Sequence, residues 1–278
     1  MGSPFCSSEF RVLPIMIKPH RLISLFFASL AMGFVTIAPE GVKAQANPPA
    51  SDPTELTQLI SQIDAAANEK DMQALLRLYS PNFSSTDGLT RQSLQSALEN
   101  LWGRFDNLNY ATVLDSWERQ GNAIVTETTT TMTATQDLAG QELNLTATVT
   151  SRQQIVDGQI LQQEILAESS QLTSGENPPT VRINLPEEVR TGREFAFDAV
   201  VEEPLGDRYL LGAAIEEPVT VAAYANPAEF DLELLSAGGL FKVGRAPNLP
   251  DDRWISAVLV RDDGMTIISR RLRVVGPE

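Results

Sequence analysis

Apolar residues recur at the 3.6-residue spacing of an α-helix in three segments between residues 53 and 105. The first predicted helix, near 53–67, starts at a capping-box pattern; the second is capped by Asp71 and the third by Thr90. The buried stripes are Leu56, Leu59, Ile60, Ile63 and Ala67, then Met72, Leu75, Leu76 and Tyr79, then Leu94, Ala97, Leu98, Leu101, Trp102 and Phe105. Three amphipathic helices therefore come first.

From Leu108 the hydrophobic period changes to two, which is typical of β-strands. Turn sequences at 120–122, 138–140 and 157–158 separate the strands. The predicted strands run from about 108 to 119, 122 to 136, 142 to 156 and 159 to 172. Consecutive hairpins favour an antiparallel meander, so residues 53–172 are expected to form an α+β domain in which one face of the sheet packs against the helices.

Residues 173–179, Thr-Ser-Gly-Glu-Asn-Pro-Pro, have the composition of a linker. Beyond them the helical period is lost, and seven or eight short strand-like runs, one of them at 219–225, alternate with turn sequences. This pattern predicts an all-β immunoglobulin-like sandwich over residues 180–278. With no disulfide available, Trp254 is expected to help fill its core.

The first 46 residues have the layout of a secretory signal peptide, and 47–52 read as a linker. A basic cluster before Leu22 precedes an uncharged run to Ala38, and small residues of a cleavage site follow at 44–46. Met16 is a more natural start than Met1. We expect an exported protein, periplasmic or extracellular, with an uncleaved membrane anchor as the alternative.

Composition narrows the function further. The chain is 42% hydrophobic and 21% charged, as a globular protein is. Cleavage after residue 46 would leave 17 basic and 34 acidic residues, a formal charge of −17. So acidic a surface argues against binding to nucleic acid or, once the leader is removed, to a membrane.

Cleavage would also remove Cys6 and His20, the single cysteine and the single histidine of the sequence. We therefore expect no cofactor, no metal site, no thiol nucleophile and no histidine base. Any catalysis would depend on carboxylates, Tyr, Lys, Arg or Ser.

Three sequence features resemble the SnoaL-like branch of the nuclear transport factor 2-like superfamily: "ANEKDMQALLRLYSPNF", "LENLWGRFDNLNY" and the hairpin "VDGQILQQEI". The resemblance covers about residues 53–172. It implies a cystatin-like α+β cone, three helices closing over a curved antiparallel sheet, with a pocket at the open end. Members of the family include isomerases, dehydratases, cyclases, hydrolases and non-catalytic binding or dimerisation modules, so it implies no single activity.

Three acids are candidates for a catalytic base. Asp87 lies near the position of the base in the steroid-isomerase members, but the first helix has no tyrosine for the oxyanion, and Asp87 before Gly88 also suits a turn. Asp115 and Glu127 lie on neighbouring predicted strands, where they could act as pocket bases or face water. Parity along the strand separates Asp115 from Glu118.

Five aromatic residues are candidates to line the cone pocket or to fill its core: Tyr79, Phe83, Trp102, Tyr110 and Trp117. The absence of a recognisable catalytic set favours a non-catalytic binding or assembly protein of the cell envelope. It would hold a small apolar ligand or form a homodimer through the cone sheet. The alternative is a carboxylate-based isomerase or lyase acting on a hydrophobic small molecule.

Overall fold

The computed structural model describes residues 54–138, 140–221 and 230–277. The predicted signal peptide and the linker at 47–52 lie outside these ranges, as does most of the predicted strand at 219–225. Among the described helices none combines the length and the apolar composition needed to cross a membrane.

The three predicted helices are confirmed as α1 (Thr54–Asn68), α2 (Met72–Arg77) and α3 (Arg91–Trp102). Asp71 caps α2 by accepting a hydrogen bond from the Ala74 amide at 2.8 Å. A strand that the sequence pattern did not predict, β1 (Tyr79–Ser85), follows α2 at once.

Four long strands form the predicted antiparallel meander: β2 (Asn107–Gln120), β3 (Ala123–Leu138), β4 (Gln141–Val156) and β5 (Gln159–Gly175). The hairpin between β4 and β5 turns at Asp157 and Gly158, both with positive φ (50° and 74°). Two such residues in succession match a type I′ turn, whose twist suits antiparallel strands.

The remaining strands are short at first and long at the end of the chain. They are β6 (Val181–Asn184), β7 (Glu188–Arg190), β8 (Glu194–Val201), β9 (Leu211–Pro218), β10 (Glu233–Leu234), β11 (Gly239–Arg245), β12 (Asp251–Arg261) and β13 (Gly264–Val275). A three-stranded sheet has the order β11-β8-β6. A ten-stranded sheet, counted over the described residues, has the order β10-β9-β12-β13-β5-β4-β3-β2, with β1 added to β5 and β7 to β13.

The predicted fold class, an α+β cone followed by a separate immunoglobulin-like sandwich, is wrong for the chain as a whole. β13 pairs with β5 from Arg270 opposite Ser169 to Gly264 opposite Gly175. The two halves therefore share one sheet. The physical reason is that β5 continues three residues past its predicted end at 172 and offers an unpaired edge, which β13 covers.

The two faces of the large sheet bury different cores. The helix face, defined as the face that α1 and α3 cover, carries Leu145 and Leu172 and continues onto Ile267. On the opposite face of β9, β12 and β13, the three-stranded sheet packs Phe195 and Phe197 into a second core. Trp254 belongs to the helix-face core, so it does not fill the space between the two sheets as predicted.

The paired segment of β5 and β13 ends at two glycines, Gly175 and Gly264, which lie opposite each other. A Cβ atom on Gly264 would lie 2.7 Å from the Pro178 Cα and 2.8 Å from the Ser174 carbonyl oxygen, both backbone atoms that cannot rotate away. We expect Gly264→Ala to lower the free energy of unfolding by about 1–3 kcal/mol. Urea unfolding measures this, with Gly238→Ala as control because a Cβ there meets nothing within 4 Å. Equal effects of the two variants would show that the close approach is unimportant.

Candidate functional site

A pocket lies between the helices and the helix face of β2–β5. It holds about 780 Å³ of empty space, counting solvent at its mouth, and the centre of a water-sized molecule has about 70 Å³ in which to move. The apolar part of its wall consists of Ile60, Ile63, Ala67, Leu75, Leu98, Met132, Ala147, Val149 and Ile160. The polar part consists of Asp64, Thr112, Thr128, Thr130, Ser151, Gln153 and Gln163, and Tyr79 and Tyr110 complete the wall.

Helix α1 supplies one side of the pocket. Ile60, Ile63 and Ala67 fall on one helical face, and Asp64 is on that face too, four residues after Ile60. The Asp64 carboxylate accepts hydrogen bonds from the Thr112 amide (2.8 Å) and the Thr112 hydroxyl (2.6 Å). These bonds anchor a half-buried carboxylate against β2 at the pocket wall.

Strands β3 and β4 contribute a set of linked polar side chains. The Gln153 amide oxygen accepts hydrogen bonds from the hydroxyls of Thr126 (3.0 Å) and Thr128 (3.3 Å). Its amide nitrogen donates to the Ser151 hydroxyl at 3.0 Å. The threonines of β3 thus alternate as strand geometry requires, and the inward Thr126 and Thr128 are paired with Gln153 of β4.

Two tyrosines, Tyr79 and Tyr110, belong to the pocket wall. The Tyr110 hydroxyl accepts a hydrogen bond from Trp102 Nε1 at 3.1 Å. Burial raises the pKa of both Tyr79 and Tyr110 well above the usual value. Both hydroxyls are therefore neutral at any physiological pH and can donate or accept hydrogen bonds.

Gln163 on β5 contributes a buried amide to the pocket wall. Its residue exposure is 3%, and its side-chain oxygen has no hydrogen-bond partner among the described residues. An unpaired buried acceptor costs about 1–3 kcal/mol.

The structure places the five predicted pocket aromatics in different surroundings. Tyr79 and Tyr110 are on the pocket wall, and Trp102 is behind Tyr110. Phe83 packs edge-on against the Tyr79 ring, with centroids 5.0 Å apart, inside the core. Trp117 lines a separate shallow cleft near the end of β2, with Glu118 and Arg152.

The candidate acids Asp115 and Glu127 are away from the pocket. A bulge in β2 leaves Asp115 exposed on the outer face, where its carboxylate accepts a hydrogen bond from the Thr129 hydroxyl at 2.7 Å. Glu127 forms an ion pair with Arg152 at 2.7 Å, and Arg152 also contacts Glu164 at 3.2 Å. Neither acid lines the pocket that contains Tyr79 and Tyr110.

Asp87 belongs to a buried cluster, here called the Arg271 cluster, that comprises Asp87, Glu168, Asp252, Trp254 and Arg271. Arg271 binds Asp87 through both terminal nitrogens, at 3.0 Å and 2.6 Å. It also contacts Asp252 at 2.7 Å and Glu168 at 3.4 Å. A bidentate pair of this kind holds Asp87 as a structural anion rather than as a base facing a substrate.

Glu168 is the acid in this cluster whose pKa is raised by its surroundings. Burial raises its pKa to about 7, although Arg271 and the hydrogen bond from Trp254 Nε1 (2.9 Å) both favour the carboxylate. One guanidinium faces three carboxyl groups here, so a proton on one of them relieves the excess negative charge. Within the described ranges, no group of three His, Cys, Asp or Glu side chains is arranged to hold a metal ion.

A family model described as a domain of unknown function (DUF8623) matches residues 176–275, which span β6 to β13. A comparison with curated proteins gives no match.

Similar solved structures have SnoaL-like and nuclear transport factor 2-like folds, with likeness over about 40% of the chain. An LEH-like epoxide hydrolase from M. tuberculosis is 15% identical, covers 40% of this chain and 81% of its own, and has a TM-score of 0.29. A provisionally assigned scytalone dehydratase from Novosphingobium aromaticivorans is 12% identical, covers 40% of this chain and 80% of its own, and has a TM-score of 0.34. A protein with a ketosteroid isomerase-like fold from Catenulispora acidiphila is 12% identical, covers 39% of this chain and 83% of its own, and has a TM-score of 0.29.

Sequence reasoning missed Asp64 and Gln163. The signal for Asp64 was present, because an acid four residues after Ile60 and three before Ala67 interrupts an otherwise apolar helical face. Gln163 was harder to find. Bulges in β5, at Leu161 and Leu166, make the inward parity of this strand irregular near Gln163.

Proposed function

We propose that the chain is an exported, non-catalytic binding protein that holds a small, mostly apolar molecule in the pocket between α1 and β2–β5. The observation that carries this proposal is the pocket itself, which is enclosed by α1 and the sheet and has a mainly apolar wall with a few polar side chains. A wall of this composition, with a few placed polar groups, is usual for small-molecule sites.

The ligand expected from this wall is short and narrow. Space for the centre of a water-sized molecule is about 70 Å³, which suits one ring or a short branched chain and not a steroid-sized body. The ligand's apolar part would contact Met132, Ala147 and Val149. Tyr79 and Tyr110 would fix its orientation.

A substitution that fills the pocket with a larger side chain tests whether a ligand binds there. Native mass spectrometry of the protein from its own cell extract is expected to show a retained mass, and Ala147→Phe should remove it because the new ring occupies the pocket. Ala111→Phe adds the same ring at an exposed position of β2 and should keep the retained mass. Circular dichroism shows whether both variants fold. A wild-type protein without any added mass would count against the proposal.

The same spectrum tests the predicted homodimer through the outer face of the sheet. Val113 on that face is 62% exposed, which leaves apolar surface for a second copy. A monomeric mass would exclude the dimer and would leave the pocket proposal unaffected.

A carboxylate-based isomerase or lyase is the second candidate, and one observation favours it. Asp64, Tyr79 and Tyr110 all line the pocket, and a carboxylate with neutral tyrosines is a set that could remove a proton and stabilise an enolate. Exchange of deuterium from D₂O into the retained ligand, faster with wild type than with Asp64→Asn, would support catalysis. No exchange would leave binding alone.

A further inference from the structure

The charge of the pocket wall is negative and uncompensated. Eighteen described residues line the pocket, and they include one carboxylate, Asp64, and no lysine, arginine or histidine. The two hydrogen bonds from Thr112 to Asp64 come from neutral groups and leave its charge in place. A ligand with a positive charge would complete this wall.

The remaining polar groups also favour a donor over an acceptor. The Asp64 carboxylate has lone pairs beyond the two that Thr112 uses, so it can accept a further hydrogen bond from a ligand. The rings of Tyr79 and Tyr110 lie on the same wall, where their π faces can attract a cation.

The whole chain favours the approach of such a ligand. Its formal net charge of −15 attracts small cations and repels small anions before contact. An organic anion would in addition have to be buried next to Asp64 with no basic residue on the wall. This combination excludes carboxylates and phosphates as ligands on electrostatic grounds.

From these observations we infer that the ligand is a small organic cation, an amine with a compact apolar body whose ammonium group pairs with Asp64. The inference rests on the proposed binding function and adds its chemical class. The apolar body occupies the inner pocket against Ala147 and Val149, and the ammonium remains near the half-buried Asp64.

Three probes of one shape separate charge from fit: cyclohexylmethylamine, cyclohexylmethanol and cyclohexanecarboxylate. Alkyl amines are protonated at pH 7. Isothermal titration of wild type is expected to give the amine at least about tenfold tighter binding than the alcohol, because both can donate a hydrogen bond to Asp64 but only the ammonium also forms an ion pair with it. No binding of the carboxylate is expected.

Two matched variants locate the effect. Asp64→Asn keeps an oxygen for Thr112 and should lower the affinity for the amine to that for the alcohol, so that the preference for the amine disappears. Asp115→Asn makes the same charge change on the outer face, outside the pocket, and should retain the preference.

The outcomes distinguish this inference from the proposal on which it rests. Equal binding of amine and alcohol, or a preference that survives in Asp64→Asn, would overturn the cationic class and leave a neutral-ligand pocket. If none of the probes binds, the cationic class is rejected, and native mass spectrometry of wild type and Ala147→Phe decides independently whether the pocket binds anything.

Discussion

Arg271→Met is expected to lower the free energy of unfolding by about 3–5 kcal/mol. The Arg271 side chain is fully buried, and Asp87, bound to it through two hydrogen bonds, is 2% exposed. Methionine occupies a similar volume without a charge, so Asp87 and Glu168 would stay buried without a cation. Urea unfolding at pH 7, followed by circular dichroism, measures the loss.

An exposed arginine provides the control. Arg152 also binds two glutamates, but its side chain is 45% exposed, and pairs of this kind contribute about 0–1 kcal/mol. Arg152→Met should therefore be nearly neutral. Adding Asp87→Asn to Arg271→Met should recover part of the loss, because it removes one of the buried charges. Similar effects of the two arginine variants would contradict a structural role for the Arg271 cluster.

The Arg271 cluster matters because of where its members lie. β1 and β13 cover the same edge of β5, β1 at residues 160–163 and β13 at 169–175. Asp87 follows β1, Arg271 is on β13 and Glu168 is on β5 between the two paired segments. The cluster therefore fills the point where the N-terminal and C-terminal parts of the sheet meet, and its loss should weaken the joint.

The local elements were predictable from the sequence because each carries its own period. The stripe from Leu56 to Ala67 determines α1, and turn residues such as Asp157 and Gly158 delimit the strands of the meander. β1 was missed because Pro81 suggested an end to structure, whereas a proline is tolerated on an edge strand.

The joining of the two halves was not predictable in the same way. The alternation of apolar and polar residues along a strand shows which face is buried, but it does not show which strand lies beside it. The sequences of β5 and β13 would therefore look the same if each strand were the edge of a separate sheet. Asp87 before Gly88 has the composition of a turn, and nothing local indicates an arginine 184 residues later as its partner.

The candidate site was predictable in part. Tyr79 and Tyr110 were among the predicted pocket residues, and the structure places both on the pocket wall, while whether they bind a ligand stays a prediction. The acids were chosen by their position near the strand ends. The bulge at Asp115 and the ion pair of Glu127 place those two outside, and the inward acid, Asp64, comes from a helix.

Glu168→Gln is expected to change how stability depends on pH. The folded-state pKa of Glu168 is raised to about 7, above the usual value of 4.5 for a glutamate, so the folded protein binds a proton that the unfolded chain has released. The contribution of Glu168 to the free energy of unfolding is fully present below about pH 4.5 and is lost as the pH rises to about 7. The loss amounts to about 3 kcal/mol.

Glutamine resembles the protonated acid, so this loss should disappear in the variant. Relative to wild type, Glu168→Gln should gain about 3 kcal/mol in unfolding free energy between pH 5 and pH 8. Its amide oxygen can still accept from Trp254, and Arg271 keeps Asp87 and Asp252. Glu142→Gln removes an exposed carboxylate and should show no comparable gain. If Glu168→Gln instead follows the wild-type pH profile, the burial of Glu168 does not control its protonation.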